Sequence, residues 1–254
     1  MAGNHDVVSG PLLPSDIFDL IVDQLDNELD ELRACCLVSK SWVPRTRKHL
    51  FASVKFESNS RSSIHRWKEI FPDPSTAPTQ YTRSLVFFGL TPVTAENVLA
   101  WIHSFRHLVE LWLCTSGLDN DQVSLTKLRG LSPTLRSLSF SLIVSLPFSE
   151  ILGLICSFPL LEDLYLYHAS KRDDETWETP STSPKLTGTL ELAGYTSSIA
   201  RGLLAFPNSL NFSKISVVLS VPDAQITMEL ISKCSGTLES LSIGYWGAFP
   251  LFLR

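Results

Sequence analysis

An apolar unit recurs at nearly constant spacing along residues 82–254, and this repeat constrains the fold more strongly than any other feature of the sequence. The central apolar positions lie 26, 27, 26, 26, 27 and 24 residues apart. They are Leu85, Leu111, Leu138, Leu164, Leu190, Val217 and Leu241. Around each of them, apolar and polar side chains alternate with a period of two, as in a half-buried strand. We therefore expect strand-containing units that stack on one another, because a unit this short cannot bury its apolar face alone.

Helical segments are expected between most of these strands. Thr94 is predicted to cap a helix over residues 95–105, and Ser149 to cap a helix over residues 150–158. Further helices are expected near residues 121–128, 197–206 and 223–234. A strand and helix within this repeat length resemble a leucine-rich repeat, whose period is about 20–29 residues. The resemblance implies a curved parallel sheet with helices on its outer side.

The repeats depart from the usual pattern in three respects. The Asn or Cys expected five residues after the central leucine is absent, so the repeats are degenerate. Those positions hold Leu90, Ser116, Ile143, Ala169 and Tyr195.

Residues 170–185 are polar, and we expect there a loop in place of a helix, either functional or disordered. Residues 244–254 are apolar where a solenoid normally ends in a polar cap, so either the tail folds back as a cap or the chain is truncated.

Three short helices are expected before the repeats. Ser15 is predicted to cap the first helix, which runs to about Leu25. At 100° per residue its apolar side chains cover roughly 200°, about twice the arc of one packed face, so we expect two apolar neighbours. The second helix is expected to begin after Asn27. Its inward side chains are expected to be Leu29, Leu32, Cys36 and Leu37.

These helices carry a recognisable motif. It opens with Leu13-Pro14-x-x-Ile17 and closes with Leu37-Val38-Ser39-Lys40-Ser41-Trp42. Over residues 10–56 this pattern resembles the F-box motif, with Asp16 in place of the usual Glu. The resemblance implies a module that binds the Skp-type adaptor of cullin-RING (SCF) ubiquitin ligases. The implied adaptor-binding or motif residues are Leu13, Pro14, Ile17, Ile21, Leu25, Leu37, Val38, Ser39 and Trp42. The alternative is that these residues only form a core against the rest of the chain.

Together these patterns predict an α+β protein with two parts. A small three-helix F-box module is expected over residues 10–56, followed by about seven degenerate repeats over residues 82–254 that form an α/β solenoid. Between them, residues 57–81 are expected to form a linker whose short helix seals the first repeat. The apolar side chains of that helix are Ile64, Trp67, Ile70 and Phe71.

The composition excludes several classes of protein. The chain has 21 Lys and Arg against 26 Asp and Glu, so its charge gives no reason to expect nucleic acid or an anionic membrane as a partner. Its 44% hydrophobic content excludes intrinsic disorder. Pro147 and Pro159 interrupt the apolar stretch 142–161, so we expect no membrane span. Five cysteines without a C-x-x-C pair, and the absence of a signal-peptide pattern, favour a cytoplasmic or nuclear protein.

The sequence contains no motif that points to catalysis. Phosphate-binding, nucleophile-elbow and zinc-protease motifs are absent. Of the six histidines, only His103 and His107 share helical i,i+4 spacing, and no third ligand follows them closely. We therefore expect no cofactor, no metal ion and no enzymatic activity.

Side chains that flank the inward leucines are expected on the concave side of the solenoid. Aromatic side chains there are of the type that anchors protein interfaces, and Glu110, Asp163 and Glu191 make the same side mildly acidic. The target-binding candidates are Phe88, Trp112, Asp163, Tyr165 and Tyr167. This surface favours a basic or apolar partner segment. The alternative is that the large side chains only cover one another.

The expected function is that of a substrate-recognition subunit. The N-terminal module would bind a Skp-type adaptor and hence a cullin, and the repeats would bind a target protein whose identity the sequence does not reveal. The alternative is a non-enzymatic leucine-rich-repeat scaffold that acts without a ubiquitin ligase.

Overall fold

The computed structural model describes residues 14–26, 28–57, 63–89, 102–115, 128–129, 131, 133–142, 148–169, 182–194, 197–207, 210–219 and 224–245. In this part of the chain the protein is α+β, with seven α-helices and one eight-stranded parallel sheet that does not close into a barrel. The chain forms two compact units, Met1–Ala52 and Ser53–Arg254. No helix within the described ranges has both the length and the apolar character needed to cross a membrane.

The first unit contains three helices: α1 (Ser15–Gln24), α2 (Leu29–Val38) and α3 (Val43–Leu50). Its buried side chains include Val22, Leu32 and Thr46. The expected N-cap at Ser15 is wrong, because Pro14 occupies the cap position and Ser15 is the first helical residue. Proline suits that position because its extended backbone leads into the helix, and the Pro14 carbonyl accepts the amide of Ile17 (3.0 Å).

The second unit contains the sheet, in which all neighbouring strands are parallel and follow the chain order. The strands are β1 (Ser53–Glu57), β2 (Ser84–Phe88), β3 (Glu110–Thr115), β4 (Ser137–Leu142), β5 (Asp163–Ala169), β6 (Thr189–Gly194), β7 (Lys214–Leu219) and β8 (Ser240–Tyr245). Parallel neighbours require crossover connections, which normally share one hand and therefore lie on one face of a sheet. This arrangement fits an α/β solenoid.

The register confirms the predicted ladder of leucines at all but one position. The sixth member is Ile215, which pairs with Leu190 and Leu241, whereas Val217 lies one pair further along β7. With Ile215 in place of Val217, the last two spacings become 25 and 26 residues. The sequence misled here because alternation has a period of two, so a shift by two residues keeps the same side chains inward.

Backbone hydrogen bonds tie successive repeats together. The Arg83 carbonyl accepts the amides of Val109 (2.7 Å) and Glu110 (2.9 Å), and the Val109 carbonyl accepts those of Arg136 (2.8 Å) and Ser137 (3.0 Å). The same two-amide pattern recurs at the carbonyls of Arg136, Gly188 and Ser213. Because main-chain atoms make these contacts, they need no particular side chain and tolerate the degenerate repeat sequence.

The core of the second unit lies on one face of the sheet. From β2 to β7 the inward side chains are at most 4% exposed. These are Leu85, Phe87, Leu111, Leu113, Leu138, Phe140, Leu164, Leu166, Leu190, Leu192, Ile215 and Val217. In β8, at the edge of the sheet, the equivalent Leu241 and Ile243 are 45% and 42% exposed. The last strand therefore leaves its inward face about half uncovered.

The helices of the second unit are α4 (Ser63–Ile70), α5 (Phe148–Cys156), α6 (Ser197–Leu204) and α7 (Ala224–Lys233), with 3-10 turns at Pro74–Thr76 and Pro78–Tyr81. Ser149 is the second residue of α5 rather than its cap. The helices expected over residues 95–105 and 121–128 lie almost entirely outside the described residues, as does most of the expected loop 170–185.

The first strand belongs to the sheet rather than to the helical unit. Val54 pairs with Leu85 of β2, so the helical unit ends four residues before the expected boundary at residue 56. Helix α4 packs on this strand, with the rings of Trp67 and Phe56 5.6 Å apart and those of Trp67 and Phe71 4.8 Å apart. The short helix expected before the repeats therefore covers β1.

Candidate interaction surfaces

Helix α1 carries an exposed apolar ridge. Ile17, Leu20 and Ile21 are 42%, 63% and 43% exposed. Their i, i+3, i+4 spacing puts them on one side of the helix, while Val22 turns to the core of the unit. The wide apolar arc of α1 therefore consists of one buried side and one exposed side.

Helix α2 exposes three further large apolar side chains. Leu29 is 49% exposed, Leu37 is 89% exposed and Val38 is 67% exposed. The expectation that Leu29 and Leu37 point inward is wrong, since Leu32 is the buried residue of this helix and Cys36 is half-buried. Five residues of α-helix separate Leu32 from Leu37, a rotation of about 140°, so one packed side cannot hold both.

The other motif residues lie in different surroundings. Pro14 is exposed, Leu25, Ser39 and Trp42 are half-buried, and Leu13 lies outside the described residues. The ring of Trp42 packs on that of Phe18, with centroids 5.0 Å apart. Trp42 therefore acts as a core residue of the helical unit, whereas the exposed motif residues form its surface. The Ser39 hydroxyl oxygen accepts the Ser41 amide at 3.3 Å, which orders the turn between α2 and α3.

A polar cluster, called the clasp below, joins α1 to α3 and consists of Asp23, Asp26, Arg45 and His49. Arg45 Nε donates to Asp23 Oδ1 at 2.6 Å, and its Nη2 donates to Asp23 Oδ2. His49 Nε2 lies 2.8 Å from Asp23 Oδ1, and His49 Nδ1 lies 2.5 Å from Asp26 Oδ1. Hydrogen bonds from Arg45 and then His49 hold the pKa of Asp23 well below its usual range. The clasp thus fixes α1, which carries the exposed ridge, against α3.

Sequence reasoning missed the clasp, although a signal for it exists. Asp23 and Asp26 are three residues apart on α1 and its end, and Arg45 and His49 are four residues apart on α3. Each pair therefore lies on one side of its helix, with opposite charge character. Complementary pairs of this kind indicate a contact between the two helices.

The second candidate surface is the side of the sheet opposite the core, called the open face below. Its side chains alternate with the buried ones and are mostly half-buried or exposed. From β2 to β6 they are Ser84, Val86, Phe88, Glu110, Trp112, Cys114, Ser137, Ser139, Ser141, Asp163, Tyr165, Tyr167, Thr189, Glu191 and Ala193. The structure therefore brings all five target-binding candidates onto one side of the sheet.

Aromatic side chains group near the N-terminal end of the open face. Trp112 is 41% exposed, and its ring centroid lies 6.1 Å from that of Phe88. Lys55 Nζ sits 4.4 Å from the centroid of the Phe88 ring, a cation–π geometry. Trp112 thus has a neighbour on one side and remains open to solvent on the other.

Carboxylates surround the two tyrosines of β5. Burial raises the pKa of Tyr165, and the negative charges of Asp163, Glu191 and Glu110 raise it further. Burial also raises the pKa of Tyr167, with Glu191 adding to the effect. Three carboxylates therefore lie near the Tyr165 side chain, and one of them, Glu191, also lies near that of Tyr167.

Asp163 has a structural task as well. Its Oδ1 accepts the backbone amide of Thr189 at 2.6 Å and thereby positions the start of β6. A Cβ atom on Gly188 would lie 2.3 Å from the same oxygen, so glycine is required for this close approach.

Metal ligands and disulfides are not part of either surface. All five cysteines are free, and burial raises the pKa of Cys156 to about 11. Within the described ranges, no three His, Cys, Asp or Glu side chains come together as a metal site would require. What the described residues offer is therefore exposed apolar side chains on α1 and on α2, and the open face of the sheet. Comparison with models of known protein families and with curated protein sequences finds no match for this chain.

Proposed function

We propose that this chain is the substrate-recognition subunit of an SCF-type cullin-RING ubiquitin ligase. The helical unit binds a Skp-type adaptor as an F-box module, and the leucine-rich-repeat-like sheet binds the target protein. The observation that carries the proposal is the exposure of six large apolar side chains on two short helices. They are Ile17, Leu20, Ile21, Leu29, Leu37 and Val38.

The exposed residues coincide with the motif that suggested the family. Ile17, Ile21, Leu37 and Val38 belong to the F-box-like pattern, and all four are at least 42% exposed. Apolar side chains that stay exposed to water do not stabilise the helical unit. Burying a fully exposed Leu or Ile contributes about 1.5–3 kcal/mol, so each of these side chains, 42–89% exposed, contributes a corresponding part of that when a partner covers it.

The clasp supports the same role. The exposed ridge can match a partner only if α1 is held in one orientation, and the contacts of Asp23 with Arg45 and His49 fix it against α3. A surface that is ordered before binding loses less conformational entropy when the partner arrives.

In this role the protein makes and breaks no covalent bond. It holds a target near the ligase and thereby raises the effective concentration of the target's lysines at the ubiquitin carrier. The role requires a cytoplasmic or nuclear location. The rival function, a scaffold that acts without a ligase, uses the open face in the same way but gives the exposed helices no partner of this kind.

Affinity purification of the full chain followed by mass spectrometry separates the two functions. We expect a Skp-type adaptor and a cullin to co-purify with the wild-type chain, and both to be lost in the double variant Ile21→Ser/Leu37→Ser. Leu160→Ser is the matched control, because Leu160 is 48% exposed but lies outside the helical unit. Repeated purification without adaptor or cullin, from a folded wild-type chain, would contradict the ligase function and favour the scaffold.

A further inference from the structure

Four side chains of the open face stand on either side of β4. In the register, Glu110 and Asp163 flank Ser137, and Trp112 and Tyr165 flank Ser139. Strands lie about 4.8 Å apart, so the flanking side chains begin about 10 Å from each other. Ser139 is only 7% exposed, because larger neighbours cover it. We call these four residues the β3–β5 cluster: Glu110, Trp112, Asp163 and Tyr165.

The charge of this region is only partly balanced by cations on the flanking strands, since Lys55 of β1 pairs with Glu57 and Lys214 of β7 lies beside Thr189. The open-face positions from β2 to β6 include three carboxylates and no Lys or Arg. Among the residues that the structure describes, the ion pairs found do not involve Glu110, Asp163 or Glu191. The cluster therefore attracts a positive group.

The aromatic member selects among positive groups. Trp112 offers an exposed ring, and Glu110 lies two residues away on the same side of the strand, about 7 Å along it. A guanidinium is planar, stacks on an aromatic ring and bonds a carboxylate with two N–H groups. A lysine ammonium is a compact, strongly hydrated charge that stacks less well. Arginine therefore fits this arrangement best.

We propose that the β3–β5 cluster binds an arginine of a basic segment in a partner protein, with the guanidinium stacked on Trp112 and paired with Glu110. Asp163 adds negative charge to the cluster, and Phe88 packs beside the Trp112 ring. The inference rests on the proposed function only in identifying this partner segment with the target that the ligase recruits.

The test uses the full chain in the absence of the adaptor. The ligand is a fluorescein-labelled peptide in which Arg residues alternate with Gly-Ser spacers. Fluorescence polarisation and chemical-shift mapping at peptide concentrations up to about 1 mM would follow binding in low salt. We expect the lysine analogue to bind several-fold more weakly and the glutamate analogue not at all. Trp112→Ala is expected to weaken arginine-peptide binding roughly five- to tenfold. Glu110→Gln leaves the fold untouched and is expected to weaken binding about threefold or more.

The control is Glu229→Gln, which removes an exposed carboxylate from α7 and should leave affinity unchanged. Equal binding of the arginine and lysine peptides, preference for an uncharged apolar peptide, or no binding by the folded wild-type chain would each overturn the inference. Failure here is distinguishable from failure of the proposed function. Ile21→Ser/Leu37→Ser should retain the peptide while losing the adaptor, and Glu110→Gln should retain the adaptor while binding the peptide more weakly.

Discussion

Leu138 and Leu241 occupy equivalent positions of the ladder, yet replacing each of them with Ala should have very different effects. Leu138 is fully buried at the middle of the sheet, so Leu138→Ala removes packed atoms and leaves a cavity, which costs about 2–5 kcal/mol. Leu241 is 45% exposed in the last strand. Because about half of the Leu241 side chain stays in water, its burial contributes only about half of the usual free energy, and its removal leaves no closed cavity. Leu241→Ala should therefore lower the free energy of unfolding by about 1 kcal/mol.

Urea unfolding of the full chain, followed by far-ultraviolet circular dichroism, measures this difference. With a slope of about 2–3 kcal/mol per molar urea, Leu138→Ala should lower the midpoint by roughly 0.7–2.5 M, and Leu241→Ala by roughly 0.3–0.5 M. Leu160→Ala, a change at a 48% exposed leucine outside the ladder, gives the reference for an exposed site. Equal midpoint shifts for Leu138→Ala and Leu241→Ala, at unchanged slope, would refute the reasoning, because β8 would then be covered as completely as the middle strands.

Three further outcomes follow from the structure. The folded-state pKa of Asp23 lies below its unfolded value of about 3.9, so the clasp stabilises the helical unit fully above that pH and progressively less as the pH falls below it. An acid titration followed by the circular dichroism of the helices should show this loss of stability in the wild type and not in Asp23→Asn. Trp42→Ala should remove the ring packed on Phe18 and lower the free energy of unfolding of the helical unit by about 2–4 kcal/mol. NMR spectra should then lose the dispersed signals of Met1–Ala52 and keep those of the sheet. Unchanged signals from the helical unit would contradict this packing. Gly188→Ala should push the Asp163 carboxylate off the Thr189 amide and cost about 1–3 kcal/mol in thermal unfolding, whereas a stabilised variant would show that the contact is dispensable.

The parallel sheet follows from the sequence to a large extent, because its two determinants are local and periodic. Alternation around each central leucine indicates a strand, and the spacing of about 26 residues leaves room for one crossover between strands. Strand β1, which precedes the seven repeat strands, is harder to assign from the sequence. The distance from Val54 to its partner Leu85 is 31 residues, which departs from the regular spacing of the repeats. Its membership of the sheet depends on long-range pairing that periodicity does not report.

The helical unit shows where pattern reasoning ends. An apolar residue of a helix can face either a core or a partner protein, and the same residue types occur in both places. The sequence therefore predicts Leu37 inward, although it is 89% exposed. The clasp was missed for a related reason. Whether charged side chains on two helices meet depends on how those helices pack, and only the structure shows that Asp23 reaches Arg45. The open face, in contrast, was predictable, since alternation in a strand fixes which side chains share a side.

Isothermal titration calorimetry of the full chain with a purified Skp-type adaptor tests most directly whether the exposed helices form an adaptor site. Leu37 is 89% exposed in the unbound chain, so burying it on binding contributes about 1.5–3 kcal/mol, and Leu37→Ser should weaken the affinity about tenfold or more. Leu160→Ser should bind as the wild type does. Adaptor affinity that is absent in the folded wild type, or unchanged in Leu37→Ser, would contradict the proposed function.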